Sequence, residues 1–358
     1  MKIIKNKARY SIHMKKVVII GGGFAGSKAA KKLQKHFDVT LIDGKNFFEF
    51  TPGILRTIVK PEHIKKLQIP HRNYLKKTKV VFGTATEVTR NTVKAGKESY
   101  PYDYLLVCAG SDYSTPIKEH NIVSATRGFH LVSFHKKLKD SRDVLIIGGG
   151  LVGVELAAEI CTHFKDKKIT IVHSNDSLIE RNSKRAQAYA QEFLRKNGVR
   201  IVFGERVMEN KGSEFVTDRK TRIKCDIAFL CTGIKPNCPF MKNHFPNSIN
   251  EKGQIRINKY LQIVGNENIF APGDVNDFAI EKTAQNANYQ AAKAARNILR
   301  IEKKKPLVEY KGWHGPMVIS LGKWNGIFEW GNFAVTGFFP GILKILIEIK
   351  AMVLLKYF

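Results

Sequence analysis

A chain of 358 residues with a 43% hydrophobic fraction is long enough for two or three domains, each with its own core. Its 60 lysines and arginines outnumber 31 acidic residues, a net charge of +29, but they fall in short dispersed runs without a helix-turn-helix or RNP-type aromatic pattern; this argues against nucleic acid and leaves anionic lipid headgroups or anionic cofactors as the partners such a field attracts. Five cysteines without paired spacing argue against a disulfide scaffold, and the lack of CxxC, HExxH or a His/Asp cluster argues against a metal site.

Residues 1–13 read as an N-terminal tail, basic and polar, without the apolar stretch of a signal peptide; Met14 is an alternative start. From Val17 the run VVII leads into GGGFAG (21–26), then a helical pattern, AGSKAAKKLQKHF, then a second strand, DVTLID (38–43). This strand–turn–helix–strand context raises a glycine-rich match above chance. Gly21 permits the tight turn, Gly23 lets the backbone approach a pyrophosphate, and Gly26 lets helix and strand pack closely. The helix N-terminus offers free N–H groups and partial positive charge to phosphates. Asp43, twenty residues after Gly23 at the strand tip, is placed to accept hydrogen bonds from ribose hydroxyls.

The stretch 79–110 alternates apolar and polar residues between turn signals, predicting a β-meander followed by a buried strand that ends in CAG (108–110). The same order then returns. DVLIIGGGLVGVELAAEICTHF (143–164) repeats the glycine turn with Gly148, Gly150 and Gly153, KKITIVHS (167–174) is its second strand, and another meander leads to CTG (231–233). His173 and Ser174 stand where a ribose-binding acid is expected. Arg181, Lys184 and Arg185 follow, so a 2′-phosphate is tolerable there; with Asp176 or backbone groups as the ribose contact, NADH is equally suited. NIFAPGDVND (268–277) and a helix over 283–298 come next, before a segment of different character from about 310. The expected layout is an FAD-binding domain of 14–125 and 255–309, an NAD(P)H-binding domain of 126–254, and a C-terminal region of 310–358.

The ordered set of two glycine turns, YDYLLVCAG, CTG and APGD resembles the flavoproteins with two dinucleotide-binding domains. FTPGILR (50–56), TIVHS (170–174), CTGIKPN (231–237), AQNANYQ (284–290) and VISLGKWNG (318–326) are most similar to type II NADH:quinone oxidoreductases and the ferroptosis-suppressor, apoptosis-inducing-factor-like branch beside them. The resemblance implies an α/β fold of two Rossmann-like domains with β-meander inserts, non-covalent FAD at the first turn and NADH or NADPH at the second. It places Asp274 on the ribityl chain, Gly110 at the pyrophosphate and Ala85 at the adenine, with Phe24, Ala25, Arg56, Ala109, Gly233, Gly273 and Ala284 among the cofactor contacts. Glu155 matches the family's acid near nicotinamide and flavin. Gln285 matches its quinone-site glutamine, whereas the later glutamine is replaced by Tyr289, with Gln290 directly after it. The redox cysteines of disulfide reductases and sulfide:quinone reductases have no counterpart, so the cysteines read as small buried hydrophobes.

The implied activity is NAD(P)H:quinone oxidoreduction without proton pumping. A soluble reductase of ferredoxin or rubredoxin, and a flavin-binding signalling protein with little turnover, are the alternatives. FFPGILKILIEIKAMVLLKYF (338–358) is the most apolar stretch, broken by Lys344, Glu348, Lys350 and Lys356 and too short for a comfortable span. It predicts an in-plane anchor on an anionic membrane surface, at its cytoplasmic face, with lysines snorkelling; a core or dimer-interface helix is the alternative, and a homodimer is compatible with it. On the anchor reading, removing 341–358 leaves both nucleotide sites whole.

Overall fold

The computed structural model of the chain describes residues 14–113, 122–124 and 128–357; the tail expected over 1–13 lies outside them. The first sheet is five parallel strands in the order Ile269–Phe270, Tyr104–Val107, Lys16–Ile20, Asp38–Asp43 and Thr78–Phe82. The second repeats the arrangement with Ile122–Ser124, Ile227–Leu230, Asp143–Ile147, Lys168–His173 and Arg200–Phe203. Strands buried on both faces read as continuous apolar runs, which is why VVII and VLII stand at the two sheet centres.

Two three-stranded antiparallel meanders sit where the alternating stretches predicted them, at 85–101 and 207–224. The helices Phe24–Leu33 and Leu151–His163 leave the two glycine turns. Helix Ala284–Glu302 begins on the Thr283 cap, whose hydroxyl accepts from Asn286 N, and packs on Phe24–Leu33. Its small buried residues, Ala287, Ala291, Ala294 and Ala295, allow close approach.

Both expected domain boundaries shift. Ile122–Ser124 pairs with Ala228–Leu230, so it belongs to the second sheet rather than to a first domain ending at 125. Cys238, Phe240, Met241 and Phe245 pack with Val18, Ile20, Ile42 and Ala85, so the return to the first unit comes well before 255. The crossing is a two-stranded antiparallel ribbon, Ser111–Tyr113 with Ile234–Pro236. These segments carry no periodicity of their own, and their placement is decided by which strand edge and which apolar cluster they reach.

The C-terminal region is a three-stranded antiparallel sheet, Met317–Ser320, Gly326–Trp330 and Phe333–Gly337, followed directly by the helix Phe338–Tyr357. No described helix is long and apolar enough to cross a membrane. Lys350 and Lys356 of this last helix are exposed, but Lys344 departs from the snorkelling expectation. Lys344 and Glu348 point inward, while Leu346, Ile349, Val353 and Leu354 face out. Ile347, Ala351, Met352 and Leu355 pack on the core.

Candidate functional site

The two glycine turns are built alike. Gly21 has φ +94° and Gly148 φ +110°, a region closed to most side chains, and a Cβ on either would strike the carbonyl of Cys108 or Cys231 at the end of the adjoining buried strand. Gly23 and Gly150 have nothing within 4 Å of where a Cβ would stand, so each opens onto free space. Gly26 and Gly153 press against the carbonyls of Gly21 and Gly148. Neither helix has a side-chain cap or an acidic residue in its first turn. Their first N–H groups are therefore left for an external anion.

Around the first turn lie two cavities. One, about 660 Å³, is lined by Gly21, Asp43, Lys45, Ala85 and Ala109. The other, about 430 Å³, is lined by Phe24, Ser111, Glu155, Asp274, Ala284 and Gln285. A cradle that admits no Cβ at Gly21, an uncapped helix start, and carboxylates in both cavities fit an FAD at this turn, which the helix start, Asp43 and Asp274 would hold. Burial pushes the Asp274 carboxyl above the ordinary aspartate range, with Lys282 and the Ser111 hydroxyl, 3.4 Å away, opposing it. Lys282 is itself lowered by burial, against the pull of Asp274 and Asp277, and its Nζ donates to the Asn276 carbonyl at 2.8 Å. An acid held partly against ionisation is stabilised by hydroxyl donors, as a ribityl chain provides.

Of the other residues expected here, Ala25 is buried against Gly273, which has φ +101°, while Gly110 and Gly233 sit at positive φ facing open space. Arg56 is placed elsewhere than on a cofactor. Its guanidinium makes a bidentate contact to Glu159, at 2.7 and 3.0 Å, and reaches the Gly322 carbonyl. Burial works against the Arg56 charge, but the hydrogen bonds and charge of Glu159, with Glu348 and Glu155 behind it, outweigh that and raise its pKa.

At the second turn His173 Nδ1 accepts from Gly149 N at 3.1 Å, and Nε2 faces Glu180 at 3.3 Å. The imidazole is thus spent on the turn, and the group it presents at the strand tip is a carboxylate that sequence reading missed. Seven residues separate the two, so only the loop conformation brings them together. Ser174, Arg181, Lys184 and Arg185 are exposed.

Gln285 lines the second cavity together with Asn288, which was not anticipated. Gln290 is corrected: it is 1% exposed, and its Oε1 accepts from Gly273 N at 2.7 Å and Asn276 Nδ2 at 2.6 Å, so it braces the APGD loop and does not face the cavity. Tyr289 is likewise outside the cavity, half exposed and stacked on Trp313 at 5.0 Å. Helical geometry explains Gln290: Gln285 and Asn288, three apart, share one face, and position 290, five on from Gln285, falls on the other side, whereas Tyr289 is held off the cavity by its stacking on Trp313.

Glu155 Oε1 takes Ser320 N at 2.7 Å and Lys344 Nζ at 3.0 Å. Lys344, Ile347 and Ala351 of the C-terminal helix also line the cavity. The expectation that 341–358 is dispensable for the nucleotide sites is therefore overturned, because this helix is part of the cavity wall.

Residues 15–291 match the protein family described as pyridine nucleotide-disulphide oxidoreductase. The chain is 34% identical over 350 residues to apoptosis-inducing factor homolog B of Dictyostelium discoideum, covering 88% of this chain and 89% of the relative. It is 30% identical over 344 residues to human ferroptosis suppressor protein 1, covering 92% and 91%. Among solved structures it is similar to the sulfide:quinone oxidoreductase of Aquifex aeolicus, with TM-score 0.87 at 16% identity over 96% of this chain and 91% of that one. It is also similar to NDH2 of Plasmodium falciparum in complex with NADH, with TM-score 0.84 at 15% identity over 95% of each chain. These structural likenesses concern the fold.

Proposed function

The chain belongs to the pyridine nucleotide-disulphide oxidoreductase family, alongside the apoptosis-inducing factor homologs and ferroptosis suppressor proteins, and on that premise we propose that it reduces a membrane-dissolved quinone from the membrane surface. It is an FAD flavoprotein with NAD(P)H as co-substrate, an NAD(P)H-dependent flavin oxidoreductase. When bound, FAD supplies the two-electron chemistry, taking hydride from the nicotinamide and passing electrons to the acceptor.

The chain's own residues bind, orient and exclude water. On this reading the helix starting at Phe24 and the one starting at Leu151 hold the two sets of phosphates through backbone N–H groups. Asp43 and Asp274 accept from ribose and ribityl hydroxyls, and charge-assisted bonds of that kind are stronger than neutral ones. Phe24, Phe50 and Leu151 keep the cavity apolar. Glu155 and Lys344 keep an ion pair at its wall, where Lys344 Nζ would serve as a proton donor to an acceptor bound in the cavity. Gln285 and Asn288 offer amide groups to a quinone carbonyl.

The observation that carries the quinone reading is the inverted polarity of the helix Phe338–Tyr357. Lys344 lines the flavin cavity and Glu348 turns inward to His63, while the outer face, with Phe338, Phe339, Leu346 and Ile349 more than half exposed, is largely apolar. Trp324, stacked on Phe338 at 6.0 Å, extends that face, and Trp330 and Phe333, paired in the preceding hairpin, are exposed as well. An apolar surface of this kind marks an interaction site, and Lys350 and Lys356, exposed on the same helix, suit an anionic headgroup layer. A ferredoxin-like partner calls instead for a charged, wet face at the cavity mouth. The test is steady-state oxidation of NADH and NADPH with short-chain and long-chain quinones, with and without anionic liposomes. Stimulation by liposomes confined to the long-chain quinone is expected; turnover with neither quinone overturns the reading.

A further inference from the structure

Beneath the first glycine turn a chain of buried polar groups runs inward from Asp43. Asp43 Oδ2 lies 2.9 Å from His71 Nε2, and His71 Nδ1 lies 2.6 Å from the Tyr74 hydroxyl. That hydroxyl is 2.7 Å from Ser27 Oγ, which donates to the Gly22 carbonyl at 2.8 Å. His71 is 0% exposed and Ser27 1%. A Cβ on Gly22 would stand 2.5 Å from both Asp43 Oδ2 and His71 Nε2, so only glycine lets this bond pass under the turn.

The protons of this chain can be counted. Each contact needs one proton between its two heavy atoms. The Gly22 carbonyl only accepts, so it takes the proton of Ser27. Ser27 Oγ must then accept from Tyr74, whose phenol is held protonated by burial. With its proton spent there, the Tyr74 oxygen must accept from His71 Nδ1. The contact between Nε2 and the carboxyl still needs a proton of its own. A neutral histidine beside an ionised carboxylate is one proton short.

We infer that the Asp43–His71 pair carries this additional proton and is net neutral, and that His71 is the positioning residue that fixes Asp43 for the FAD ribose, so that the hold on FAD weakens as pH rises. The inference rests on the reading that FAD occupies the first turn. Once the proton is lost, one link of the chain has no hydrogen and the pair carries a net negative charge, which disfavours an anionic dinucleotide at this turn. The other charges facing the chain are Lys45, whose Nζ is 4.0 Å from Asp43 Oδ2, and Lys31, 6.0 Å from the Tyr74 ring. They bear on which atom holds the proton, not on how many there are.

The experiment is titration of apoprotein with FAD, followed by flavin fluorescence, at a series of values between about pH 6 and pH 9. In H71Q the amide nitrogen donates to Asp43 while its oxygen faces the Tyr74 oxygen, so the proton-poor arrangement is held at every pH by a group that does not titrate; H71F removes both links. Wild-type Kd is expected to rise several-fold across the range, and that of H71Q to stay flat. H71F should bind roughly tenfold more weakly or worse, as expected for a lost hydrogen bond to a charged group. Should H71F not fold, wild type against H71Q decides alone. A shared pH profile for wild type and H71Q, or an H71F protein that holds FAD as tightly as wild type, overturns the inference while leaving the FAD reading standing. A wild-type protein that takes up no FAD at any pH overturns that reading and the inference with it.

Discussion

Glu155 and Lys344 meet at 3.0 Å across 189 residues of chain, joining the helix that leaves the second glycine turn to the last helix of the protein. Both side chains are about one-seventh exposed, at 13% and 15%. The pair sets which face of the C-terminal helix turns inward, since a lysine this sheltered needs its partner. Glu348 repeats the pattern one turn later, 3.2 Å from His63 Nε2, an ion-pair distance without hydrogen-bond alignment.

Lys344→Met leaves Glu155 with the Ser320 N–H as its remaining hydrogen-bond partner among the described residues. A loss of about 1–3 kcal/mol is expected for a sheltered charge deprived of its partner, read as a lower chemical-denaturation midpoint. Reduction of the flavin by NADH in a stopped-flow instrument should persist, while turnover with quinone falls. A variant with wild-type stability and turnover would show the contact to be incidental.

Leu346→Asp combined with Ile349→Asp places two charges on the outward face without touching the inner one. Each large apolar side chain removed from water is worth about 1.5–3 kcal/mol, and these two are already half covered. Co-sedimentation with anionic vesicles should therefore weaken by roughly tenfold or more, with FAD content unchanged. Unaltered sedimentation would exclude this face as the membrane surface. Truncation is the poorer experiment, because it opens the cavity wall.

Asp274 supplies a pH dependence. Burial raises its carboxyl, so the folded apoprotein binds its proton more tightly than the unfolded chain does. Stability then falls with rising pH: the cost is absent below about 3.9, the ordinary aspartate value, and complete above the raised folded value. Hydroxyl donors from FAD reverse the cause. Differential scanning fluorimetry from about pH 4 upward should show a steeper fall in Tm for apoprotein than for holoprotein. Asp274→Asn should flatten the apo curve and weaken FAD retention. Parallel apo and holo curves would remove Asp274 from the ribityl contact.

Glu180 stands beside His173 at the tip of the second strand, and a carboxylate there repels a 2′-phosphate. Glu180→Gln should raise kcat/KM for NADPH several-fold relative to NADH, while alanine at Arg181, Lys184 or Arg185 changes the ratio little. A ratio that moves with the basic residues and ignores Glu180 would reverse the assignment.

The repeated glycine turn, the apolar strands either side of it, the two meanders and the acid at Asp43 were legible from residue order because each is a local requirement. A turn that must approach a phosphate needs glycine, a strand buried on both faces needs an unbroken apolar run, and a meander needs alternation. Where the chain has no period, order alone misled. Ile122–Ser124 and Cys238–Phe245 were assigned to the wrong unit, because a short segment joins whichever sheet edge or cluster has room for it.

The same division runs through the site. Motif spacing singled out Gln285, but helical phase separates it from Gln290, which braces the APGD loop. His71 and Glu180 were invisible, since nothing in their neighbourhoods marks a histidine that buries itself under a distant turn or a loop glutamate that reaches a strand tip. The sequence by itself determined the fold class, the duplication and the family; only the tertiary structure decided that Lys344 and Glu348 of the apolar C-terminal run turn inward while Leu346, Ile349, Val353 and Leu354 face out. Amphipathic spacing states that a helix has two faces, and which one turns inward depends on the partners waiting there, here Glu155 and His63.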